Sequence, residues 1–314
     1  MASALKSTPY MDAQPREDYN TAYKRFAAMI DGWTDEPPSA RRASRLNPGA
    51  VKHTKSLAGL EQAAGELESK GVCWSRSEHP QASLISLWTE KQEEDEHESF
   101  AKESIMLVQN PADTHHGVGC CAEHTTIRPK KKPRRSKPAS DVSAACRRLV
   151  AKLPKGQLRE AVRADAEALS ASMMRMCPEV PKLTLQLEVI GNNRCSRWHQ
   201  DYYAGRMLIT YNATSTWMAD DQSVSFSMFD DSIELPSEIT DPLVVPDYES
   251  IHQPPPNSVV LIKGMSWPGI ERSANGMGVV HKAPNMRKRA GDDDEPICKR
   301  FILKVDLQYD DDEW

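Results

Sequence analysis

The feature that most constrains this chain is the strict alternation Leu183-Thr184-Leu185-Gln186-Leu187-Glu188-Val189, with an apolar side chain at every second position. Successive side chains of a strand point to opposite faces, so this stretch reads as a half-buried strand and not as an amphipathic helix. Residues 206–211, 224–229, 258–262, 278–281 and 300–307 are further short strand-like segments. Two helical segments precede them. The first, capped by Asp141 or Ser143, carries Ala145, Leu149 and Leu153 and ends at Pro154-Lys155-Gly156. The second, over about 158–176, has Leu158, Ala161, Val162, Ala166, Leu169 and Met173 as its apolar stripe and is closed by Pro178 and Pro181. Two helices followed by six or so short strands predict an antiparallel sandwich or barrel, with the helices packed outside one sheet.

Before residue 141 the texture differs. Pro, Ser, Glu, Lys and His dominate, and long periodic apolar segments are scarce. Residues 11–33 carry Tyr19, Tyr23, Phe26, Met29 and Ile30 near helical spacing, and Val72, Trp74, Leu84, Ile85 and Leu87 are strand-like. Between them lie Pro37-Pro38 and the basic piece 41–45, and the acidic run 93–98 follows. A charged fraction of 27% with a mean hydropathy of -0.61 is polar for one compact domain. The expected division is therefore a polar, partly disordered region over 1–140 and a folded domain over 141–314. A net charge of -5 argues against a nucleic-acid binder acting through its whole surface. The seven cysteines are irregularly spaced, no apolar stretch follows Met1, and nothing is long enough to span a membrane. Reduced thiols and a nuclear or cytoplasmic location are expected.

The chemistry-bearing pattern is Trp198-His199-Gln200-Asp201-Tyr202. On a strand, positions i and i+2 share a face, so one metal can meet His199 and Asp201 together. His281, ending the Val279-Val280 segment, supplies a third ligand. Two imidazoles and one carboxylate on one side of a metal leave positions open, as in non-heme Fe(II) oxygenases. The competing reading is a histidine that merely pairs with a nearby aspartate.

The order His-x-Asp, distal His, then Arg on the next strand resembles the Fe(II)/2-oxoglutarate-dependent dioxygenases. That resemblance implies a double-stranded β-helix (jelly-roll) barrel, Fe(II) at His199, Asp201 and His281 (with Zn able to take the same ligands in vitro), and 2-oxoglutarate as co-substrate. It also implies an arginine for the distal carboxylate of 2-oxoglutarate, with Arg300 the first choice and Arg206 the reserve. Arg300 and Ile302 alternate with Phe301, Leu303, Val305 and Leu307, so the arginine faces away from the apolar row. Two departures stand out: the charged piece 285–296 lengthens the His281-to-Arg300 spacing, and Ile302 stands where many members place Ser.

Over residues 141–307 the chain is also similar to a domain-of-unknown-function family of bacteria, fungi and algae. The matching pieces are Asn193-x-Cys195-x-Arg197-Trp198-His199-x-Asp201-Tyr202, Arg206-Met207-Leu208-x-Thr210-Tyr211, Leu261-Ile262-Lys263-Gly264-x-x-Trp267-Pro268-Gly269, Val280-His281-x-Ala283-Pro284 and Arg300-Phe301-Ile302-Leu303-x-Val305-Asp306. Where members usually carry Gly-Pro-Gly-Thr, this chain has Ala213-Thr214-Ser215-Thr216.

An Fe(II)-dependent oxygenase acting on an unidentified substrate is the expected function, against a metal-binding or sensor barrel without turnover and a nuclear interaction protein. Other features take plainer readings. Cys195 reads as a small buried cysteine, Lys263 as a solvent-exposed turn residue, and His252 as a non-ligand in a Pro-rich loop. The cluster His115-His116-Gly117-Val118-Gly119-Cys120-Cys121-Ala122-Glu123-His124 lacks a recognised zinc-finger spacing. Lys130-Lys131-Lys132-Pro133-Arg134-Arg135 is expected to stay exposed, either for a nuclear import receptor or sequence-blind nucleic-acid contact, or as a solvated linker.

Overall fold

The computed structural model describes residues 50–66, 68–92, 100–107, 138–190, 195–231, 237–268, 278–284 and 299–309. The expectations for 11–33, 41–45, 93–98, 115–124, 128–137 and 285–296 lie outside these residues.

The described strands make two sheets. Across the larger one the order is β1 (Ala50–Thr54), β2 (Ser69–Trp74), β8 (Val259–Lys263), β5 (Gly205–Thr210), β10 (Arg300–Gln308), β4 (Lys182–Ile190) and β3 (Ala101–Met106). Only β1 and β2 run parallel, joined through helix α1 (Leu57–Ala64). The smaller sheet is β7 (Ile251–His252), β6 (Trp217–Ala219) and β9 (Val280–Lys282), and His199 bridges to His281 on the free edge of β9.

Alternation decides what each face of the large sheet meets. Leu183, Leu185, Leu187 and Val189 of β4 and Phe301, Leu303, Val305 and Leu307 of β10 join one apolar cluster with α3 (Pro138–Leu149) and α4 (Gln157–Met176). The α4 stripe Leu158, Val162, Ala166, Leu169 and Met173 lies in this cluster, as its spacing predicts. The opposite face contributes Val51, Cys73, Leu208, Val260, Ile262 and Ile302 to a second cluster with Met218 of the small sheet and Val279 just before β9. A third cluster covers the outer side of the small sheet.

Several expectations are corrected. Residues before 140 supply β1, β2 and β3, so the division expected there runs through one sheet. Val72 and Trp74 do lie on a strand, β2, which begins earlier with Ser69-Lys70-Gly71, and Lys70 is buried there with Asp221 2.5 Å from its ammonium. Leu84, Ile85 and Leu87 lie on helix α2 (Ala82–Glu90), where Ile85 and Thr89, four apart, are the buried positions. Residues 224–229 are not a strand, for Phe226–Asp231 is helix α5. There Phe226 and Phe229, three apart, meet edge to face at 6.0 Å, a contact that helical spacing provides. Lys263 is not exposed: it is 2% accessible on the helix side of β8, donating to the Glu66 carbonyl at 2.9 Å. Cys195 is exposed rather than buried. His252 is on β7, in register with Met218.

Candidate metal centre

His199 and His281 face each other across the edge of the small sheet, each donating its N–H to the other's carbonyl at 2.9 Å. Residues paired in this way carry their side chains on the same face. The imidazoles lie 4.3 Å apart between centroids. Each ring turns its Nδ1 toward the backbone carbonyl two residues earlier, His199 to Arg197 at 2.9 Å and His281 to Val279 at 3.0 Å. A ring that donates Nδ1–H to a carbonyl presents a bare Nε2, the tautomer a metal needs.

Both Nε2 atoms are turned toward the Asp201 carboxylate: His199 lies 3.7 Å from Oδ1 and His281 3.5 Å from Oδ2. One ligand atom from each of the three falls within 4.8 Å of the others. Asp201 is not on a strand, as its spacing from His199 had suggested. It sits in the loop into β5, which the segment after β8 holds from below: Gly264 donates to Ala204 at 3.1 Å and Met265 to the Asp201 carbonyl at 2.8 Å. A Cβ on Gly264 would fall 1.8 Å from the Tyr203 carbonyl oxygen, so any larger residue displaces the loop that carries Asp201.

Arg206 fixes the carboxylate. Its Nη1 donates to Asp201 at 2.9 Å, while Nε and Nη2 grip Asp306 of β10 at 2.7 and 3.1 Å. Its guanidinium stacks 4.9 Å over the Tyr203 ring. Burial alone would raise the Asp201 carboxyl, but Arg206 and the two imidazoles hold it well below the usual carboxylate range. Burial, then the neighbouring His281, pushes His199 down to about 4 against the pull of Asp201. At neutral pH the site thus offers a neutral His199 ring and an ionised Asp201 carboxylate, with the His281 imidazole beside them. This donor set fits Fe(II) or Zn(II) with positions left over. His199 is the most accessible ligand, at 32% of its side chain, with the 59% exposed Tyr202 beside the loop.

The residues assigned from the pattern are only partly brought together. His199, Asp201, His281 and Arg206 form one unit, with Arg206 already saturated by two carboxylates. Arg300 is buried on the same face of β10 as Asp306, opposite Ile190. Six positions separate Arg300 from Asp306, which at strand rise is about 20 Å. Lys304, ion-paired with Glu188, lies on that face between them. Asp306 and Gly264 were legible only as members of matching pieces, because their roles rest on contacts with residues distant in sequence.

No curated protein matches this chain in sequence. Among solved structures it is similar to a C-terminally truncated Neurospora crassa protein in apo form, at 11% identity and a TM-score of 0.31 over 80% of this chain and 88% of that one. The full-length form of that Neurospora crassa protein, in complex with alpha-KG, is similar at 10% identity and a TM-score of 0.33, over 83% and 85%. A Caulobacter crescentus protein assigned to the 2OG-Fe(II) oxygenase family has 14% identity and a TM-score of 0.30, over 83% and 86%. These likenesses are loose. No helix among the described residues is long and apolar enough to cross a membrane. The family model described as protein of unknown function DUF1826 matches residues 98–303, which hold all three candidate ligands, and the chain belongs to that family.

Proposed function

We propose that this protein is a mononuclear non-heme Fe(II) oxygenase that uses 2-oxoglutarate. The observation that carries the reading is the convergence of His199 Nε2, His281 Nε2 and the Asp201 carboxylate. The strand winding is compatible with it. From β4 onward, successive segments go to the large sheet, the small one (around His199), large, small, small, large, small and large. Crossing between two facing sheets in this way is the winding of a jelly-roll barrel, and we read the domain as one.

In this reading His199, Asp201 and His281 occupy one side of the ion, and O2 activation at Fe(II) is the chemistry that the bound metal supplies. The chain's own residues do the positioning. Arg206 keeps Asp201 ionised and aimed, and the two backbone carbonyls keep both Nε2 atoms bare. The Val51, Leu208, Ile262, Met218 and Ile302 cluster keeps the space between the sheets dry. Arg300 is the proposed anchor for the distal carboxylate of 2-oxoglutarate, which would place the co-substrate deep between the sheets. Lys304 would instead hold it close under the ligands. Anaerobic reconstitution with Fe(II), followed by O2 and 2-oxoglutarate, should release succinate. Metal retained with no succinate would leave a metal-binding or sensor protein. Arg300→Ala and Lys304→Met, compared by 2-oxoglutarate binding at unchanged metal content, separate the two anchors. The location of action, including nuclear import through Lys130–Arg135, remains a proposal tested by neutralising that run in a fluorescent fusion.

A further inference from the structure

A second histidine pair lies at the other edge of the small sheet from the first. The small sheet carries a row His252–Met218–His281–His199, each residue directly opposite the next. His252 therefore shares the inner face with His281, two strand spacings away, or about 10 Å. His53 comes from the edge of the large sheet, two residues from Val51, which packs between the sheets. Its Nε2 stands 3.1 Å from His252 Nδ1, and the rings are 5.3 Å apart between centroids. No strand pairing joins β1 to β7, so this contact is made by side chains alone.

A carboxylate backs the pair. His252 Nε2 lies 3.2 Å from Asp220 Oδ2, and the other Asp220 oxygen accepts the Val51 N–H at 2.6 Å. Burial would raise the Asp220 carboxyl, but its bonds from His252 and Val51 keep it below its ordinary value. An ionised Asp220 accepts a hydrogen bond from His252 Nε2–H, the tautomer that leaves Nδ1 bare and turned toward His53. A carboxylate behind a histidine is the recurrent arrangement of a metal-bound imidazole. Two nitrogens bound to one tetrahedral ion at about 2.0–2.1 Å stand roughly 3.3–3.4 Å apart. The observed gap is within a few tenths of an ångström of that, at hydrogen-bond distance between the two rings.

We propose that His53 Nε2 and His252 Nδ1 form a second transition-metal site, with Asp220 orienting His252 and water filling the remaining positions. Imidazole pairs suit Zn(II), Cu(II) and Ni(II). A bound ion takes the place of the hydrogen bond between the rings and ties the edge of the large sheet to the edge of the small one. The site shares no ligand with His199, Asp201 and His281, so it does not rest on the oxygenase reading.

The test is residue-resolved, because other histidines and cysteines of the full chain can also take up metal. Full-length metal-free protein is treated with diethylpyrocarbonate with and without Zn(II), and carbethoxylation of each histidine is read by mass spectrometry. His53 and His252 should both lose their labelling when Zn(II) is present, and should still do so in Asp201→Ala. In His53→Gln, an exchange at an exposed position, His252 should label equally with and without Zn(II), and the thermal upshift caused by Zn(II) should shrink. Labelling of His53 unaffected by Zn(II), Ni(II) and Cu(II), or protection that disappears with Asp201→Ala, would overturn the proposal.

Discussion

On β10 the side chains of Phe301, Leu303, Val305 and Leu307 meet the helices, while Arg300, Ile302, Lys304 and Asp306 lie on the opposite face, where Ile302 joins the cluster with Met218 and Val279. The first row is wholly apolar and fully buried. The second carries charges, among them Asp306 held by Arg206 and Lys304 held by Glu188. Burying a charge costs several kcal/mol unless a partner compensates it, whereas burying a large apolar side chain gains about 1.5–3 kcal/mol. The helix side therefore supplies stability and the inner side spends some of it on aiming the Asp201 carboxylate. One strand does both because its side chains alternate.

Four variants break or sharpen that contrast. Asp201→Ala on the inner side should abolish metal binding at the candidate centre, read by metal content after dialysis. Full occupancy in that variant would remove the site. Phe301→Ala on the helix side should cost about 3–5 kcal/mol of unfolding free energy, since its ring packs on Tyr211 and Trp88. The surviving folded protein should still bind metal with the same stoichiometry, and a parallel loss of metal would show that the two faces are not separable.

Lys263 is the charge that intrudes on the helix side, and burial pushes its ammonium down to about 8 from an ordinary 10.5. Below pH 8 both folded and unfolded chains carry the charge, so the burial penalty is fully present. Between pH 8 and 10.5 the unfolded chain holds a proton that the folded one has released, and the penalty is relieved as pH rises. Lys263→Met should therefore stabilise by up to about 3 kcal/mol below pH 8, with the advantage vanishing by about pH 10.5. Comparing the two proteins at each pH separates this from Cys177, whose thiol burial pushes up to about 12 and which destabilises in the opposite direction above its ordinary value. A pH-independent difference in chemical denaturation would refute the assignment. The smallest effect is expected from Arg206→Lys, which keeps the charge but loses the fork that spans Asp201 and Asp306. Metal affinity should fall about tenfold, in the range for residues that orient ligands. Unchanged affinity in a competition titration would mean that Asp201 needs no brace.

Strands β4 and β10 and the two helices packed on the sheet were legible because their apolar residues repeat with the period of the element they form, and β5 and β8 because they are short apolar runs, β8 bounded by Pro256 and Gly264. The three candidate ligands were legible for a related reason. His199 and Asp201 are neighbours in the chain, and His281 ends a recognisable strand. What failed was the reading of segments whose polar residues are buried. Lys70 in β2 and Lys263 in β8 look like surface residues until Asp221 and the Glu66 carbonyl are brought to them. In the same way, 224–229 alternates like a strand, yet 226–231 is a helix whose Met228 packs with Leu243, Val244 and Val245.

Local periodicity thus determined, from residue order alone, which stretches of the folded half become strands and which faces they bury. Tertiary structure alone decided that β1, β2 and β3 join the same sheet. It alone turned Arg206 to Asp201 and Asp306, and set His53 beside His252 although 199 residues separate them. Side-chain alternation acts over one or two residues and can be read along the chain. Register between distant strands is set by the packing of the whole sandwich, and no local pattern records it.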